Sequence, residues 1–170
     1  MKITILGSGT SHGVPMIGCD CEVCTSDDEK NKRTRASVWI EKDDTSILID
    51  TSTDFRFQTL REGIPDIDAI LFTHAHADHI HGLDDIRPYS YKHVVPVYGN
   101  KPTINELRRR FDYIFKKTQR GGGKPNIDLH RIQRPFSIGP VEIIPVPIMH
   151  GKLPIFGVRI GGFAYLTDCS

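Results

Sequence analysis

Three histidines and an aspartate fall within six residues of this chain, in the run His74-Ala75-His76-Ala77-Asp78-His79. Side chains alternate along an extended backbone, so His74 and His76 project to one side, while Asp78 and His79 follow as the chain turns. Neutral imidazole and carboxylate are donors for zinc and similar divalent cations, and one such segment can serve two adjacent metals. Hydrolytic use requires several fixed ligands and a position left open for water. The apolar stretch Ala69 to Phe72 predicts a strand that delivers the run at its carboxyl end, where open α/β sheets place their ligands. The other reading is a solvated histidine-rich turn, or a metal clip without chemistry.

The remaining pattern predicts a single α/β (α+β) domain over residues 1–170, a length that supports a real core. Lys2 to Leu6 reads as a strand entering the loop Gly7-Ser8-Gly9-Thr10. Ser37 to Glu41 and Ser46 to Ile49 read as a hairpin about Lys42-Asp43-Asp44-Thr45. A short helix is expected after an Asp54 cap, ending at Gly63 with Pro65 beyond. From Pro102, residues Ile104, Leu107, Phe111, Ile114 and Phe115 recur at helical spacing, with Arg108, Arg109, Arg110, Lys116 and Lys117 on the remaining surface. A loop at Gly121-Gly122-Gly123-Lys124-Pro125 follows. Short strands are then expected at Ile127 to Ile132, Phe136 to Ile138, Val141 to Val146, Phe156 to Ile160 and Phe163 to Leu166.

Lys and Arg number 22 against 21 Asp and Glu, so a net charge of +1 argues neither for nor against nucleic acid. No apolar stretch approaches the ~20 residues that span a bilayer, and no apolar signal core follows Met1. The expectation is a cytoplasmic protein with no membrane partner. Cys19, Cys21 and Cys24 crowd into C-x-C-x2-C spacing, suited to a structural zinc that needs a fourth donor; three free buried thiols are the other reading. The glycine loop gives G-x-G-x-x-x-G with no amphipathic helix after it, which excludes a dinucleotide site of the G-x-G-x-x-G kind. His12 in that loop and Arg87 after the histidine run are candidates for substrate binding, with a structural turn the equal reading for His12. The basic helix face and Arg56 could attract phosphates, though a solvated face is the better reading for the helix.

His74 to His79 followed by Ile80-His81-Gly82-Leu83 matches H-x-H-x-D-H-x-x-G-L, and on this motif the chain resembles the metallo-β-lactamase-fold hydrolases. Ile47-Leu48-Ile49-Asp50-Thr51 is similar to the strand and aspartate that precede the motif in that family. Gly7 to Pro15, the cysteine cluster and Gly82 to Pro88 resemble the branch of phosphoribosyl cyclic phosphodiesterases and, more distantly, ribonuclease Z. The resemblance implies an αββα sandwich with two divalent cations, zinc or manganese, with iron as a further option. It implies His74, His76 and His150 on one metal, Asp78 and His79 on the other, and Asp168 bridging. Without it, His150 reads as a structural or surface residue and Asp168 as a turn aspartate.

Asp78 would also be catalytic, orienting a metal-bridging hydroxide against a small cyclic phosphodiester. A tRNA 3′-end substrate, a thioester and a lactam are the alternatives within the fold. A non-catalytic, metal-stabilised binding or dimerisation module is the alternative outside it. In the family the chain continues to a late histidine that completes the second metal shell, and another late histidine completes the cysteine site. This sequence ends at Ser170, which sets the expectation of an amino-terminal part without its carboxyl-terminal half, and of a homodimer that covers exposed edges.

Overall fold

The computed structural model describes residues 1–116 and 123–169. Lys117, Gly121 and Gly122, expected in the long helix and the loop after it, lie outside the described residues. A six-stranded sheet runs in the order β1 (Lys2–Gly7), β2 (Ser37–Lys42), β3 (Thr45–Ile49), β4 (Ala69–Leu71), β5 (Val95–Gly99), β6 (Ile127–Arg131). Its first three strands are antiparallel, and β3 to β6 are parallel. The β2–β3 turn places Asp43 and Asp44 at φ 49° and 58°, the left-handed pair that a two-residue hairpin requires.

A second, antiparallel sheet has the order β10 (Phe163–Tyr165), β9 (Leu153–Ile160), β8 (Val141–His150), β7 (Phe136–Ile138). Its Ile138, Val141, Ile143, Val158 and Ile160 pack against Val38, Ile40, Ile47, Ile49 and Leu71 of the first sheet. On the other face of the first sheet, Trp39, Leu48, Ile70, Val95 and Val97 meet the helices. These are α1 (Phe55–Glu62), α2 (Ala77–Ile80), α3 (Arg87–Ser90), α4 (Lys101–Arg110) and α5 (Asp112–Phe115). The architecture is therefore helix, sheet, sheet, three of the four layers of the expected sandwich. No helix among the described residues is long and apolar enough to cross a membrane.

Several elements differ from the sequence pattern for local reasons. The helix after Pro102 breaks at Phe111, which takes φ −111° and ψ 39°, so its apolar stripe is split between α4 and α5. Asp54 precedes α1 but makes no capping bond. Its carboxylate instead accepts from the Arg35 backbone N–H at 2.9 Å and from the guanidinium at 3.0 and 3.1 Å. A charge-assisted pair outcompetes a neutral cap. Strand β8 runs on through Pro145 and Pro147 to His150, and β9 begins at Leu153. Pairing with β7 stops at Ile143, so the prolines lie where that edge of β8 carries no ladder.

Candidate metal centre

The carboxyl ends of β3 and β4 lie side by side, and both extend the ladder by one further bond, Asp50 N–H to Leu71 O at 2.9 Å and Phe72 N–H to Tyr98 O at 2.8 Å. Beyond them the backbone leaves the sheet and carries His74 and His76 over the strand ends. Asp78 and His79 sit in the first turn of α2. The second sheet contributes from above, with His150 at the end of β8 and Asp168 beyond β10. Phe156 N–H donates to Thr73 O at 3.0 Å and ties the two sheets together beside the histidines.

Ligand atoms of His74, His76, His150 and Asp168 lie within 4.8 Å of one another, and so do those of Asp78, His79 and Asp168. Asp168 is common to both groups, with Oδ2 at 3.4 Å from His74 Nε2 and 3.3 Å from His79 Nε2. His74 Nε2 is buried and has no hydrogen-bond partner. A native core rarely leaves such an atom unsatisfied, and a cation would use its lone pair. The donor set of imidazole and carboxylate fits zinc, manganese or iron.

Asp50 holds the cluster from beneath. It is fully buried at φ 61°, and accepts from Thr73 N–H at 2.9 Å, Thr73 Oγ1 at 2.8 Å and His79 Nδ1 at 2.7 Å. This contact fixes the ring so that Nε2 faces Asp78 and Asp168. Burial disfavours charge on all three neighbours, with different outcomes. For His74 burial dominates, reinforced by His79, and the pKa falls to about 4, which keeps the ring neutral. For His79 burial is outweighed by the Asp50 carboxylate and its hydrogen bond, and the pKa rises to about 10. For Asp78 burial is outweighed by the hydrogen bond with His79, and the pKa falls to about 2. Sequence reasoning gave Asp50 no role, although it closes an apolar strand and belongs to the Ile47 to Thr51 segment that carries part of the family resemblance.

Two grooves flank the cluster. One, of about 500 Å³, is lined by Gly7 to Ser11, Asp78, His79 and Asp168; the other, of about 440 Å³, by His74, His76, Asn105, Arg110 and Pro154. The glycine loop is shaped by packing, since a Cβ on Gly7 would lie 2.1 Å from Arg35 O and one on Gly9 2.4 Å from Arg33 O. Ser11 reaches the first groove, whereas His12 lines a separate cavity with Lys32, Arg33 and Arg61. Arg87 is not brought to the histidines either. It bonds to Asp84 and to Gly123 O, and lines a cavity with Arg56 and Tyr91 that holds none of the clustered residues. Of the basic helix face, Arg110 does border a groove at the cluster, while also paired with Glu106.

Cys19, Cys21 and Cys24 also come within 4.8 Å of one another, without a fourth donor in that group among the described residues. All three are partly or fully exposed, so the reading as buried thiols does not hold. A hydrogen bond from the Cys24 backbone, then those from the Cys19 and Cys24 thiols, lowers the Cys21 pKa to about 7.

A family model described as a beta-lactamase superfamily domain matches residues 45–170. The chain is similar to a Porphyromonas gingivalis protein named octanoyltransferase, 44% identical over 171 residues, a match that takes 99% of this chain and 35% of that protein. It is similar to the solved structure of a diphosphatase from the PhnP family, 46% identical at a TM-score of 0.88, over 96% of this chain and 64% of that one. Human short-form tRNase Z shares the fold at a TM-score of 0.63 and 18% identity, over 96% of this chain and 67% of that one. The chain thus spans about a third of the first protein and under two thirds of the diphosphatase.

Proposed function

The chain belongs to the beta-lactamase superfamily, a fold of metal-dependent hydrolases, and from that premise we propose that it carries a two-metal centre for hydrolysis of a small phosphate ester, with a cyclic phosphodiester the leading substrate. The observation that carries this reading is the pair of donor groups that share Asp168. His74, His76 and His150 would hold one divalent cation, zinc or manganese, and Asp78 and His79 the other. Cations there would acidify a water and neutralise charge on phosphoryl oxygens. Asp50 keeps His79 facing the cluster, burial keeps His74 unprotonated, and Asp78, ionised throughout the neutral range, orients the attacking water by accepting its hydrogen bond. Cys19, Cys21 and Cys24 would hold a structural zinc together with a donor from elsewhere.

The diphosphatase relationship supports a phosphate ester over a thioester or a lactam, because it joins high identity to near-complete coverage of this chain. The transferase name belongs to a protein of which only about a third is matched, and supports no acyl transfer here. The test is turnover of bis-p-nitrophenyl phosphate by the chain loaded with manganese or zinc, with His76→Ala as control. Metal binding without any turnover would leave a metal-stabilised binding module as the function. Absence of bound metal by elemental analysis would sink the site assignment altogether.

A further inference from the structure

Asp168 Oδ2 stands almost equally far from the two histidine groups, and the chain that carries it is held in an unusual way. β10 runs antiparallel to β9 as far as Tyr165 opposite Val158, and the next residue packs on Gly157, where a Cβ would lie 2.2 Å from Leu166 Cδ2 and 2.9 Å from Tyr165 O. Asp168 then takes φ 52°, a left-handed conformation that aspartate adopts more readily than most non-glycine residues. Thr167 Oγ1 donates to Asp168 Oδ1 at 3.0 Å, and it is the one hydroxyl bonded to this carboxylate among the described residues. The buried Tyr165 Oη makes no hydrogen bond to Asp168.

We infer that Thr167 is a positioning residue for the shared carboxylate: by engaging Oδ1 it leaves Oδ2 alone to face both His74 and His79. Freed of that bond, the carboxylate can rotate about its Cβ–Cγ axis and offer both oxygens to one cation, which leaves the other unlinked. The inference rests on the two-cation reading given above, and extends it from the ligands to the group that aims one of them.

Manganese(II) loaded into the chain and followed by electron paramagnetic resonance reports whether two ions share a ligand. The wild-type chain is expected to show an exchange-coupled pair. Thr167→Val keeps the side-chain shape without the hydroxyl, and is expected to give isolated-ion signals, with affinity for the second manganese lowered about tenfold. The thermal midpoint of the metal-free chain should not move. Thr167→Ser should restore the coupled signal, and Thr167→Ala, which adds no bulk, should behave as the valine variant does. A coupled pair held at wild-type affinity in both the valine and alanine variants overturns the inference, as does a serine variant that restores nothing. Wild-type chain that binds manganese without coupling overturns the two-cation reading itself, and the role of Thr167 with it.

Discussion

Asp50 is a carboxyl group in a fully buried position, where each oxygen is engaged, two contacts coming from Thr73 and one from His79. Replacing it with asparagine keeps the volume but removes the charge and puts an NH2 where an acceptor stood. Asp50→Asn should therefore weaken metal binding at Asp78 and His79 by about 10–100-fold, measured by competition with a chromophoric chelator. Unchanged affinity would mean that His79 is oriented without Asp50. The residue also shows what the sequence hides. His74 to His79 are legible because four donors share one short segment. Asp50 reaches them only across paired strands, and nothing in its flanking residues records Thr73 or His79 as its partners. His150 and Asp168 entered only through the family resemblance, since neither stands in a short segment of several histidines and carboxylates. Arg87 shows the converse: it follows the motif closely in sequence, yet its guanidinium pairs with Asp84 and lines a cavity that holds none of the clustered residues.

At the scale of elements, the turn after α2 fixes how the motif helix meets the first sheet. Gly82 N–H donates to Thr51 O at 3.0 Å, and a Cβ at Gly82 would lie 2.2 Å from Ser52 O and 2.5 Å from Phe55 Cβ. Backbone on one side and a buried aromatic on the other leave no room to yield. Gly82→Ala should destabilise the chain by about 1–3 kcal/mol, seen as a lower urea midpoint with an unchanged slope. A midpoint equal to wild type would show that the α1 start can move aside. Most strands were legible because apolar residues and turn signals agree, as in the hairpin with Asp43 and Asp44. The break at Phe111 was not, because its side chain continues the helical stripe while its backbone does not. The length of β8 was not either: the strand was expected to end at Val146, just before Pro147, and the edge beyond Ile143 that is not paired with β7 cannot be seen in the sequence.

For the whole molecule, the donors come from both sheets: His74, His76, Asp78 and His79 from the first, His150 and Asp168 from the second. Bound cations would thus staple the layers at one end, while the apolar interface of Val38, Ile40, Ile143 and Val158 holds the middle without them. Metal should raise the thermal midpoint, by linkage worth about 2.7 kcal/mol at a free concentration one hundred times the dissociation constant. His150→Ala should lose most of that increment, because it removes a donor carried by the second sheet. The location of the effect is the stronger test. On chelation, amide hydrogen exchange should quicken at the β8–β9 turn around Gly151 and at residues 165–169, and stay slow in β2 and β3, whose ladder and core are independent of the cluster. Uniform acceleration across both sheets would instead mean that metal stabilises the fold globally. No acceleration at the turn would mean that His150 does not bind.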